Sequence, residues 1–214
     1  MARTMEKYEQ EVFDLMGPFL TQKGFVANRP MKQFRHYTPT GFQSIMLSVS
    51  GHGPYYLDVH LGIRSDQVEH MAYQFTTSPA SFANHATTIA PPLHALDISI
   101  PKKLTFDSST DLKAACEYLE VILEDQGLGF LSDSTPVNAL DRLLNANPEG
   151  ESPYMHNQLN RYFRGLVVAK MAQNPDIQHL TDTYHKAIKK RGAPQRVVQN
   201  YERLAVMLHY FSFN

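Results

Sequence analysis

The sequence predicts an α+β protein, with an N-terminal helix on an antiparallel meander of three or four strands followed by an all-helical C-terminal half. Three observations carry this. Apolar residues recur at three- and four-residue spacing in the first 22 positions, and at every second position towards residue 64. After Phe106 the two-residue period stops and helical spacing resumes. The change divides the chain into an α+β region, 1–106, and a helical region, 107–214, as two domains or one continuous one. A length of 214 residues suffices for one substantial core or two small ones.

Tyr8, Val12, Phe13, Leu15, Met16, Phe19 and Leu20 form the stripe of an amphipathic helix over 4–22. Gly17-Pro18 is where it would bend, and Gly24 is its C-cap. In the β region, Tyr55, Leu57, Val59, Leu61 and Ile63 alternate with Tyr56, Asp58, His60, Gly62 and Arg64, which marks a half-buried strand. Ile45, Leu47 and Val49 alternate in the same way, and Met31 to Tyr37 is a more polar run. Pro39-Thr40-Gly41 and Gly51-His52-Gly53-Pro54 are turn sequences between these runs. Leu96, Ile98 and Ile100, closed by Pro101, suggest a fourth strand. Ser65-Asp66 with Glu69 reads as a capped helix start, and 76–94, rich in Thr, Ala, Ser and Pro, as a long surface loop.

In the helical half, Ser108 to Asp111 opens a helix that Gly127-Leu128-Gly129 should end. Pro136 starts a shorter one to Asn145, and three more are expected near 153–173, 176–190 and 194–211. The terminal Tyr210-Phe211-Ser212-Phe213 is too apolar for water, so it should dock on its own domain or on a second subunit.

The composition, 43% apolar with net charge −1, is that of an ordinary soluble protein and implies neither a nucleic acid nor a membrane partner. A single cysteine, Cys116, excludes an internal disulfide framework and Cys-rich zinc sites, and fits a reducing compartment. Acidic residues near the N-terminus replace the apolar core of a signal peptide, and no window reaches the roughly 20 apolar residues of a membrane span. The expected location is cytoplasmic.

The near-zero total hides a strong asymmetry. Residues 1–106 carry +1, residues 107–151 carry −8 and residues 152–214 carry +6. The two charged segments either neutralise each other or leave one patch open. Glu117, Glu120, Glu124 and Asp125 would suit a cationic protein partner such as a basic toxin or nuclease. Lys186, Lys189, Lys190 and Arg191 could touch phosphates. They sit at a helix C-terminus, however, where cations are favoured anyway, and no aromatic sheet signature of an RNA module accompanies them. Nucleic acid is therefore the less favoured partner.

Tyr56, Asp58, His60 and Arg64 share the polar face of one strand, with Asp58 and His60 about 7 Å apart. They form an alternative ligand face, in competition with a plain exposed polar pairing. HExxH spacings, phosphate-binding glycine loops, nucleophile elbows and kinase signatures are missing, so no catalytic residue, metal or cofactor is expected. Cys116 lies on an apolar helical stripe and reads as packing.

The order of a helix, Gln22-Lys23-Gly24-Phe25, a polar strand and a meander ending in Leu57-Asp58-Val59-His60-Leu61-Gly62-Ile63 resembles small bacterial α+β domains of unknown function, some associated with toxin–immunity systems. The resemblance covers about the first 75 residues and brings no functional residue with it. Together with the acidic segment it implies a cytoplasmic bacterial protein-binding module, an immunity or regulatory protein that neutralises a cationic partner. The alternatives are an enzyme or small-ligand protein using the polar sheet face, and RNA binding by the basic helices. Oligomeric state is left open.

Overall fold

The stripe of the first helix determines how the N-terminal part of the chain is built. In the computed structural model, which describes residues 2–76 and 79–212, α1 spans Ala2–Gln22 and runs through Pro18 as one helix. It buries Tyr8, Val12, Phe13, Met16 and Leu20. Gly24, at φ +83°, supplies the left-handed turn that ends it, and a Cβ there would approach His36 Nδ1 to 3.0 Å. The strands follow as β1 (Val26–Asn28), β2 (Gln33–Thr38), β3 (Gly41–Gly51) and β4 (Tyr55–Ser65), and then α2 (Asp66–Tyr73). Later come β5 (Leu104–Phe106), α3 (Ser109–Ile122), a π turn (Leu123–Gly127) and α4 (Leu128–Ser134). Four helices complete the chain: α5 (Val137–Asn145), α6 (Gln158–Met171), α7 (Ile177–Lys190) and α8 (Gln195–Tyr210).

The chain forms two compact units, each built from two stretches: Met1–Ile63 with Ala90–Asp133, and Arg64–Ile89 with Ser134–Asn214. The helical part after residue 106 is thus divided between the units. In the first unit the α+β expectation is realised by a five-stranded antiparallel sheet in the order β1-β2-β3-β4-β5. Phe34 opposes Ile45 and Arg35 opposes Ser44 across β2 and β3, while Tyr55 opposes Phe106 across β4 and β5. Phe13 stacks on Phe34 at 4.8 Å, and Tyr8 meets Tyr55 and Phe106 edge-on at 4.8 and 5.1 Å. These aromatic contacts fix α1 on the sheet in addition to the area they bury.

Several expectations give way here. Leu96, Ile98 and Ile100 make no strand: Asp97 Oδ1 accepts the Ser99 N–H at 2.7 Å, a local turn that competes with strand pairing, and Ile98 is fully exposed. The extra strands are instead β1 and β5. Gly127 and Gly129 do not stop the helix. The chain widens into the π turn, where Leu123 packs so closely on Gly127 that a Cβ there would come within 2.7 Å of its Cδ2, and buried Leu131 continues the apolar stripe into α4.

In the second unit, the region read as a surface loop carries Thr88 and Ile89 fully buried; Thr77 and Ser78 lie outside the described residues. Its burial is bought by hydrogen bonds, since Thr88 Oγ1 accepts the Ser65 N–H and donates to Glu69 Oε1, both at 3.0 Å. Ser65 occupies the N-cap of α2 without a side-chain cap bond, and Glu69 is turned inward, so the expected capping pair is not formed. The helix expected from 153 begins at Gln158, where Asn157 Oδ1 accepts the Asn160 N–H. Tyr210 and Phe211 are exposed rather than buried on their own domain, and Phe213 lies outside the described residues.

Two polar assemblies hold the second unit together. Arg164 Nε and Nη2 donate to Glu69 Oε1 and Oε2, both at 2.6 Å, with both side chains buried. Arg161, 1% exposed, donates to the carbonyls of Leu144, Asn147 and Gly150 and to Gln158 Oε1.

Candidate functional site

Helical spacing decides which side chains of α3 are available to a partner. Leu112, Cys116, Leu119, Ile122 and Leu123 are buried, so the opposite face presents Glu117, Tyr118, Val121, Glu124 and Asp125 at i, i+1, i+4, i+7 and i+8. The start of this helix is fixed by a reciprocal cap. Ser108 Oγ accepts the Asp111 N–H at 3.2 Å, and Asp111 Oδ2 accepts the Asp107 N–H at 3.3 Å and the Ser108 hydroxyl at 2.8 Å.

The four acidic residues do not behave alike. Glu117 is exposed, with Lys113 one turn away at 3.9 Å, a separation and setting at which an ion pair contributes little. Glu124 is held by Lys23 at 2.6 Å, which ties the π turn to the end of α1. Asp125 is exposed. Glu120 lies at the edge of the face, where partial burial and the neighbouring Glu117 raise its carboxyl above the ordinary range. Among them stand Tyr118, 46% exposed, and Val121, 56% exposed. Two apolar side chains are thus left open among carboxylates, two of which are paired with lysines.

A raised carboxyl has a definite stability consequence. The folded chain binds the Glu120 proton more readily than the unfolded chain, so ionisation at neutral pH costs stability, and that cost disappears as pH falls through the raised value. Glu120→Gln is therefore expected to raise the melting midpoint at pH 7 by about 1 °C. The gain should vanish when melting is repeated in acid; an equal gain at both pH values would mean that charge is not the cause.

Cys116 is 2% exposed, and burial with Glu120, Glu11 and Glu117 around it pushes its thiol up to about 12. A thiol so disfavoured as thiolate is no nucleophile.

The alternative face is less open than its alternation implies. Asp58 Oδ2 accepts from Ser50 Oγ at 3.3 Å and faces Lys103 Nζ at 3.7 Å, Lys103 also lying over the Tyr56 ring. His60 is half-buried, and its strand position is bridged to Pro92. Arg64 corrects the expectation of an exposed polar row, because it is buried and donates to Asp66 Oδ1 at 2.5 Å and to the Ala86 carbonyl at 2.8 Å. Among the described residues, no group of three His, Cys, Asp or Glu is placed to hold a metal ion. No helix is long and apolar enough to cross a membrane among them.

The basic residues also separate. Lys186, Lys189 and Lys190 are exposed on α7, the last two in its final turn, where they complement the helix dipole. Arg191 is engaged: Nη2 donates to Glu151 Oε1 at 2.6 Å and Nε to the Tyr162 hydroxyl at 3.1 Å.

Fold and site together define an α+β protein with an exposed helical face of mixed acidic and apolar character. Compared with protein-family models, with curated proteins and with solved structures, the chain matches none. The concentration of acidic charge in the sequence identified the carboxylates of this face. Tyr118 and Val121 were passed over, their signal being their position off the apolar stripe.

Proposed function

We propose that the chain is a cytoplasmic protein-binding module that restrains or assists a cationic protein through the outer face of α3 and the π turn. The observation that carries this reading is the exposure of Tyr118 and Val121 between Glu117 and Asp125. Desolvating the two apolar side chains would supply affinity, while the carboxylates would steer and orient a basic surface. The resemblance of the first 75 residues to small bacterial α+β domains of unknown function, some associated with toxin–immunity systems, is in keeping with this reading.

The test uses the immobilised full chain and extract from its own host, washed at low and moderate salt. A stoichiometric basic protein should be retained at moderate salt by the wild type and lost by Glu117→Lys/Asp125→Lys, with Tyr118→Ala weakening capture by about tenfold or more. Lys186→Glu/Lys190→Glu should leave capture unchanged. Full capture by the acidic-face variant, with its melting midpoint preserved, would remove the proposed surface. Loss of capture only in the lysine variant, with RNA in the eluate, would transfer the function to α7.

A further inference from the structure

The ends of α6, α7 and α8 enclose a cleft of about 240 Å³ within the second unit, separate from the face of α3. Its walls come from Leu166 and Lys170 on α6, from Ile177, Gln178 and Thr181 on α7, and from Ala205, Val206, Leu208 and His209 on α8. Leu166 and Leu208 are buried, so the interior is apolar. The polar groups are unevenly distributed. Lys170 and His209 contribute to the lining, and no carboxylate does. Lys170 enters no ion pair among the described residues, although it stands in the last turn of a helix with its stem half-buried.

The other polar side chains are already directed. Thr181 Oγ1 donates to the Ile177 carbonyl at 2.8 Å, and the Gln178 amide faces Asp182 at 3.3 Å. The donors left for an incoming molecule are therefore the Lys170 ammonium and the His209 ring. The cleft is half-open, with Gln178, Val206 and His209 exposed at its mouth, and an apolar floor beside an ammonium that has no carboxylate partner among the described residues suits an amphipathic occupant.

We infer that this cleft binds a small amphipathic carboxylate, a short-chain aliphatic acid whose tail lies against Leu166, Ala205 and Leu208 and whose head pairs with Lys170. The volume holds a tail of roughly six to eight carbons, and a cleft open at one side leaves the head group at the cationic rim. The binding neither requires nor excludes the protein-binding role of α3.

The experiment is a titration of the isotope-labelled full chain with sodium octanoate, followed by amide NMR, with octanol, octylamine and inorganic phosphate as comparison probes. Octanoate should give saturable shifts confined to residues 166–181 and 205–209, with a dissociation constant on the order of 1 mM. Lys170→Met, a change on the protein surface, should weaken octanoate by about fivefold or more and leave octanol unaffected. Thr181→Leu, which fills the cleft while leaving Lys170 in place, should abolish octanoate binding. The assignment is overturned by any of three results: no saturable shift up to tens of millimolar, equal affinity of wild type and Lys170→Met, or phosphate or octylamine binding as tightly as octanoate. Unchanged melting midpoints of both variants would establish that lost binding is not lost folding.

Discussion

Glu69→Ala is expected to destabilise the second unit by about 3–5 kcal/mol, the usual cost of leaving a buried charge without its partner. The carboxylate is 3% exposed and takes both Arg164 donors at 2.6 Å, while Thr88 adds a third bond to Oε1. Arg164 Nη1 is buried without a hydrogen bond, so Arg164 has nowhere to turn once Glu69 is removed. The asymmetry of buried ion pairs gives the control. Glu69→Leu/Arg164→Met removes both charges at similar volume and should recover most of the loss, ending within about 1–2 kcal/mol of wild type. Urea unfolding of the single and double variants measures this. A single variant costing under 1 kcal/mol, or a double variant as unstable as the single, would show that the pair does not hold α2 on α6.

Arg161 should prove almost as demanding, and for a different reason. Among the described residues its guanidinium meets no carboxylate; its acceptors, at 2.5 to 3.2 Å, are three backbone carbonyls from the end of α5 and the segment that follows it and the amide of Gln158 at the start of α6. Arg161→Ala would remove four bonds from a charged donor at once and leave a void where a fully buried side chain stood, although water can reach the part-buried Asn147 and Gly150 carbonyls and the Tyr184 hydroxyl still donates to Leu144, so a loss of about 3 kcal/mol is expected after relaxation. Arg161→Lys keeps the charge but offers one ammonium where a planar fork spans four acceptors, and should recover less than half of the loss. Hydrogen exchange across 146–157 should accelerate in both variants before global unfolding. Equal stability of the lysine variant and wild type would mean that charge at the end of α5 matters and the fork does not.

Much of the first unit was legible where an element buries one face, as the first helix and the first two-thirds of β4 do. Alternation in Tyr55 to Ile63 and the three-to-four spacing of Tyr8 to Leu20 both follow from one buried face. The buried stripe of α3 was legible for the same reason, in Leu112, Cys116 and Leu119, whereas the exposed Tyr118 and Val121 on its other side were passed over. What could not be read was anything set by a distant partner. Glu69 has the sequence context of a helix cap, and only Arg164, 95 residues later, makes it a core residue. Lys23 claims Glu124 across 101 residues, so one member of the acidic set is partly spoken for. Other misses were local. The Asp97 side chain captured the Ser99 N–H where the two-residue period promised a strand, and Leu123 allowed a glycine inside a helix where glycine usually ends one.

The alternation of the chain between its two units bears on the order in which they can be completed during synthesis. Residues 1–63 leave the ribosome with most of the sheet but without β5 and α3, which come only with the stretch up to Asp133. Residues 64–89 emerge earlier still relative to their own partners, and Glu69 stays uncompensated until Arg164 has been made. At about 5–20 residues per second the carboxylate is hydrated and free for several seconds before it can be buried. Translation therefore finishes the first unit before the second, and the segment around α2 stays without its partners until α6 has been made.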